Sequence, residues 1–480
     1  TQFQNDVRLN QALFERIKTI YENQEKENLS VEQQTLLEKE FKGFARNGAL
    51  LAEDEKHILR EIDTEKAQLG LTFGENVLSD TQAFELHITE EKELKGLPDQ
   101  VKEMAAETAQ SKNKEGWIFT LDYPSYVPLM TYAENRSLRE KMSLAFGQRG
   151  FQTNDNNNTA IILRLIELRK KRAQLLGYDS HAAFVLEERM ATSEENVKNF
   201  LEDLYQKAYP AAKGEWKAME DFAAEQLELS PLEKWDTAYV SEKLKQAQLE
   251  LDEQQLKPYF PLEKVQAGVF EIAGKLYGLR FEKNDKLEGY HPEVEVYEVF
   301  NRQGDFYALL YTDFFPRPGK RNGAWMTSYR GQKKDQRPHI SMVCNFSKPT
   351  ASTPSMLTFQ EVTTLFHEFG HALHGMLANT TYGGLSGTNV FWDFVELPSQ
   401  IMENWCYEKD ALELFARHYQ TDEVIPMEYI QKIKKAAHFQ QGLQTLRQLG
   451  FGFLDLSYHG AQATDIQDIK KHETAILDRV

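Results

Sequence analysis

His367 and His371 stand four residues apart in the stretch TLFHEFGHALHGML, and Glu368 directly follows the first of them. An α-helix turns about 100° per residue, so positions i and i+4 share one face, one turn above the other. Two imidazoles so placed can hold one metal ion. The H-E-x-x-H spacing also angles the glutamate toward the open coordination position of a zinc ion. The chemistry these residue types point to is metal-assisted amide hydrolysis, with His367 and His371 as ligands and Glu368 as general base.

A catalytic zinc takes three protein ligands. His374 lies on the same face, but seven residues from His367 puts it roughly 10 Å along the axis, too far to share that ion. Glu396, in NVFWDFVELPSQIMENW, follows His371 by 25 residues after a glycine-rich return, TTYGGLSGTN, and is the better third ligand. Its spacing from Asp393 also suits a capping box at the start of a second helix. Asp393 and Glu403 are candidates to orient a ligating imidazole, since such a ring usually donates its other N–H to a carboxylate or carbonyl. Gly383, Gly384 and Gly387 suggest a mobile loop over bound substrate, and Arg321, Trp325 and Tyr329 are candidates to face the cleft.

The elements that must position these groups are legible nearby. Val362, Leu365, Phe366, Phe369, Ala372, Leu373, Met376 and Leu377 recur at three- and four-residue intervals, the pattern of a helix packed into a core. Thr358 with Glu361 reads as its capping box. Apolar residues at helical spacing also mark Asn5 to Glu25, Val31 to Phe44, Asp54 to Gly70 and Ser193 to Leu227. Near Tyr290 the period changes: VEVYEVFNRQGDFYALLYTDFF alternates about Arg302-Gln303-Gly304, two strands and a turn, and PHISMVCNFS is a third strand. The expected architecture is therefore mostly α, with a small mixed β-sheet beside the zinc helix. An edge strand there could pair with an extended peptide.

FHEFGHALHGML followed at that distance by DFVELPSQIMENW resembles the thimet oligopeptidase family of zinc metallopeptidases, in particular its bacterial peptidyl-dipeptidase and oligopeptidase A branch. LDYPSYVPLMTYAENRSLREKM, LRKKRAQLLGYDSHAAFVLEERMA, WDTAYVSEKLKQ, LKPYFPLEKVQAGVF and NGAWM carry the resemblance over nearly the whole chain. It implies one zinc held by His367, His371 and Glu396, with Glu368 as general base. It further implies two helical lobes flanking a deep channel that admits short unstructured peptides. Residues 1–285 would form most of one lobe and part of the other, and 286–480 the catalytic region, the lobes interleaved in sequence. The activity implied is release of C-terminal dipeptides, or alternatively endopeptidase cleavage of short peptides. The family's glycine- and tyrosine-rich segment, expected after the third ligand, has no match among Tyr407, Tyr419, Tyr429 and Tyr458, and Thr1 falls inside the family's helical region. A piece lacking both ends is the expectation, with a peptide-binding chain without turnover as the alternative.

Composition narrows the partners. Lys+Arg 56 against Asp+Glu 74 gives −18, which argues against nucleic acid or an anionic membrane surface. No apolar run is long enough to span a bilayer. Only Cys344 and Cys406 are present, both in apolar contexts, which suits buried thiols in a reducing compartment. A cytoplasmic monomer acting on short peptides is expected, or a periplasmic one if a signal peptide preceded Thr1.

Overall fold

The computed structural model describes residues 2–463 and 466–480. Helices dominate, and their ends follow local chemistry. Ser30 and Gln33 form a reciprocal capping box that starts the helix Val31–Ala45, and Ser193 caps Glu194–Leu227. The segment read as one helix from Asn5 to Glu25 is two, Gln2–Arg8 and Gln11–Glu22. Asn10 breaks it: its backbone is extended and its side chain accepts from the Leu13 N–H, 2.9 Å away. The helix expected to end at Gly70 continues to Ala83. A helical glycine costs only about 1 kcal/mol, and the added turns are anchored by Asp80, which accepts hydrogen bonds from the Gly150 N–H and from Asn154 and Asn156.

Strands β1 (Leu86–Ile88) and β2 (Trp117–Phe119) form a short antiparallel pair. A five-stranded sheet contains β3 (Arg280–Lys283), β4 (Glu295–Phe300), β5 (Phe306–Asp313), β6 (Trp325–Arg330) and β7 (His339–Val343), in spatial order β3-β4-β5-β7-β6. Only β5 and β7 run parallel, so the sheet is mixed. The β4–β5 turn falls where the sequence placed it. Gly304 sits there at φ +88°, and the Asn301 side chain accepts from the N–H groups of Gln303 and Asp305. Strands β3 and β6, both edges, were not expected: β3 has four residues, and β6 has no alternation of buried and exposed positions.

The principal core runs from Leu251 to Ile433 and is shared by the helix Leu262–Tyr277, the five-stranded sheet and the helix Phe359–Met376. It therefore crosses residue 285. Phe260, Phe366, Phe369 and Phe415 are fully buried in it, each contributing about 1.5–3 kcal/mol by area removed from water. This packing fixes the H-E-x-x-H helix against the sheet. No helix among the described residues is long and apolar enough to cross a membrane.

Candidate metal centre and active site

The helix Phe359–Met376 is set in place at both ends of its first turn. Thr358 accepts from the Glu361 N–H at 3.1 Å while the Glu361 carboxylate accepts from the Thr358 N–H at 2.8 Å. Val362, Phe366, Phe369 and Ala372 are fully buried, which leaves His367 and His371 on the face turned toward the cleft. Their rings lie 5.0 Å apart between centroids.

Glu396 reaches them from the start of the next helix, Leu397–Glu403. Its Oε2 lies 3.2 Å from His367 Nε2 and 3.0 Å from His371 Nε2. One donor atom from each of the three lies within 4.8 Å of the others, a group that could hold a metal ion. Glycine makes the approach of the two helices possible. A Cβ at Gly370 would stand 2.6 Å from both the Pro398 carbonyl oxygen and the Ser399 Cα.

Glu403 and His367 Nδ1 are 2.7 Å apart, so this carboxylate sits where it can orient the imidazole. Asp393 does not. Its two oxygens accept from the Met190 and Ala191 N–H groups, 2.9 Å each, and tie the third-ligand loop to a distant turn. Burial is the largest influence on His367 and opposes its charge, but the bond to Glu403 and the charges of Glu368, Glu403 and Glu396 together outweigh it and the ring's pKa is raised; burial lowers that of His371.

Glu368 is buried and lines the same cavity as the three candidate ligands. Burial is the largest influence on its carboxyl, the neighbouring Glu396 charge adds to it, and the pKa is pushed up to about 7 against the pull of His367. Its Oε2 is buried without a hydrogen-bond partner. An orphaned carboxylate oxygen beside two imidazoles and a second carboxylate, that of Glu396, fits a zinc site with a proton acceptor at its side.

The cavity, about 610 Å³, is walled by Ala324 to Ser328 of β6 and its approach, and by Thr388, Val390, Trp392 and Val395. A cavity of about 1000 Å³ lies elsewhere, beside Phe3, Phe44 and Arg172; donor chemistry, not volume, singles out the smaller one. Trp325 lines the cavity that contains His367, His371 and Glu396. Tyr329 instead packs edge-on against Tyr290 and Tyr311, and the Arg321 guanidinium lies against Gly74 of the helix Glu53–Ala83. His374 is outside the three-residue group.

The glycine segment is held from two sides and does not hang free. Gln332, buried, bonds Thr380 and the Ser386 hydroxyl, while Glu32 accepts from the N–H groups of Thr381 and Tyr382. Lys39 donates to the Gly384 and Asn389 carbonyls. Gly387, at φ +57°, packs against Gly375 of the H-E-x-x-H helix. Sequence reasoning missed β6, Gln332 and Ser399; of these only Ser399, three residues after Glu396, carried a local signal.

A mostly helical chain with H-E-x-x-H and a following glutamate on adjoining helices belongs in the class of metallopeptidases. The match to a family model is consistent with that: residues 129–479 fit the model described as Peptidase family M3, and the chain belongs to this family. It is 37% identical over 441 residues to oligopeptidase A of Salmonella typhimurium, covering 90% of this chain and 65% of that protein. To the dipeptidyl carboxypeptidase of Escherichia coli it is 35% identical over 478 residues, covering 98% and 70%. A solved structure of PZ peptidase A with inhibitor 2 superposes at TM-score 0.53 and 15% identity, covering 99% of this chain and 67% of that one, a likeness of fold. The chain thus spans about two thirds of the length of the curated relatives it matches.

Proposed function

We propose that this chain carries the zinc-binding core of a peptidase that hydrolyses peptide bonds in short unstructured peptides. The observation that carries the reading is the convergence of His367, His371 and Glu396 on one point beside the unpartnered Glu368 carboxylate. When bound, zinc supplies Lewis acidity toward the scissile carbonyl and toward water. Glu368 Oε2, buried beside the ligands and without a hydrogen-bond partner, accepts the water proton and delivers it to the leaving amine. Glu403 holds the His367 ring in the tautomer that leaves Nε2 free for the metal. The outer edge of β6 has no partner strand among the described residues and offers main-chain groups to an extended peptide. Trp325, Val390 and Trp392 give the cleft an apolar wall.

The names of the relatives divide between oligopeptidase and dipeptidyl carboxypeptidase. Release of C-terminal dipeptides is the finer reading here, and a C-terminally amidated peptide tests it, because a peptidyl-dipeptidase loses such a substrate and an endopeptidase keeps it. The broader test is hydrolysis of short peptides by the zinc-loaded chain. Cleavage abolished by a chelator and restored by zinc is expected; cleavage that survives metal removal contradicts the proposal, and peptide bound without cleavage with zinc seated favours a binding chain without turnover. Two buried cysteines, Cys344 and Cys406, both free thiols, support a cytoplasmic setting.

A further inference from the structure

Ser399 is fully buried two residues into the helix Leu397–Glu403, and its hydroxyl lies 2.8 Å from Glu396 Oε2 and 2.8 Å from the Glu396 carbonyl oxygen. The carbonyl already accepts from the Gln400 N–H at 2.9 Å. The carboxylate oxygen it meets is the same Oε2 that faces His367 Nε2 and His371 Nε2. Glu396 itself is half exposed, with its side chain at 51%, so packing does little to restrict its rotamers. Gly370 brings the Ser399 backbone directly onto the H-E-x-x-H helix, where a Cβ would meet the Ser399 Cα at 2.6 Å.

We propose that Ser399 is the positioning residue for Glu396: its hydroxyl selects the Glu396 rotamer that presents Oε2 to the two imidazoles, with Gly370 setting the distance between the helices. This rests on the reading of His367, His371 and Glu396 as a metal site. A hydroxyl that pre-orients a carboxylate reduces the rotamer entropy lost when a metal is bound, and outer partners of this kind are worth about 10–100-fold in metal affinity.

The experiment compares Ser399→Ala and Ser399→Thr with the unsubstituted protein, each measured for zinc dissociation constant, for the visible spectrum of the cobalt(II) form, and for melting temperature without metal. Ser399→Ala removes one oxygen and leaves the volume nearly unchanged. The expected result is a metal-free melting temperature close to that of the unsubstituted protein, zinc affinity about 10–100-fold weaker, and a shifted cobalt spectrum. Ser399→Thr keeps the hydroxyl and restores the affinity. Unchanged zinc affinity in Ser399→Ala overturns the inference, as does a loss that tracks melting temperature in both variants. If the unsubstituted protein binds no zinc, it is the metal-site reading that fails, a different result from either of these.

Discussion

Two of the buried carboxylates in this molecule, Asp236 and Glu368, sit in opposite conditions. Asp236 is fully buried and accepts from Arg136, from the equally buried Arg139 and from the Glu233 N–H. Burial is the largest influence and works to raise its pKa, yet the two guanidiniums and the Glu233 N–H together outweigh it and the carboxyl is held below its ordinary value. Glu368 is buried with an oxygen that meets nothing, and its carboxyl is pushed up to about 7. A satisfied buried charge acts as a joint, here between the helix Arg136–Gly147 and the turn at Lys234–Asp236. An unsatisfied one is held ready to take a proton. Asp236 has two guanidiniums as partners, and Glu368 has an oxygen with none.

Substituting each carboxylate should separate the two conditions. The largest effect is expected from Glu368→Gln in a peptide-hydrolysing form, a loss of about 10²–10⁴-fold in rate, with the urea midpoint held or raised because a buried unpaired carboxylate is replaced by a neutral amide. Asp236→Asn should do the reverse. It leaves Arg139 buried without its counter-charge, at a cost of about 3–5 kcal/mol read from urea unfolding, with the metal site intact. That cost has a pH dependence with a definite sign. The folded pKa of Asp236 lies below the unfolded value of about 3.9, so its stabilisation is complete above that value and fades as pH falls through the folded pKa. The gap between Asp236→Asn and the unsubstituted protein should therefore be constant near neutrality and close in strong acid; a gap that widened in acid would contradict the assignment.

A smaller effect is expected where the H-E-x-x-H helix and the helix Leu397–Glu403 touch. Gly370→Ala inserts a methyl 2.6 Å from the Pro398 oxygen, and overpacking of this kind costs about 1–3 kcal/mol; it should weaken zinc binding along with stability. Smallest of all, Lys39→Ala removes exposed bonds to the Gly384 and Asn389 carbonyls. Exposed contacts are worth about 0.2–1 kcal/mol, so global unfolding should barely move while amide exchange in residues 383–389 quickens.

The same contrast explains what the sequence made legible. The H-E-x-x-H helix could be read because everything that defines it is local: a capping box at Thr358 and Glu361, an apolar stripe, and histidines one turn apart. Strands β4, β5 and β7 showed themselves by alternation about a turn. Strand β6 did not, because none of its residues is fully buried and burial does not alternate along it: Trp325 to Thr327 are half-buried and Ser328 to Arg330 exposed. Asp393 has the spacing of a helix cap, but its partners, the Met190 and Ala191 N–H groups, are some two hundred residues away. The glycines at 383, 384 and 387 suggested motion for a similar reason. The bonds that restrain them come from Glu32, Lys39 and Gln332, none of which a local window contains.

In the function proposed above, His367, His371 and Glu396 hold the metal while Glu368, beside them, does not. Metal analysis of purified protein tests it directly. About one zinc per chain is expected in the unsubstituted protein and in Glu368→Gln, and sharply reduced zinc in His367→Ala, His371→Ala and Glu396→Ala. Full occupancy in all three ligand variants, or loss of zinc from Glu368→Gln, would contradict it.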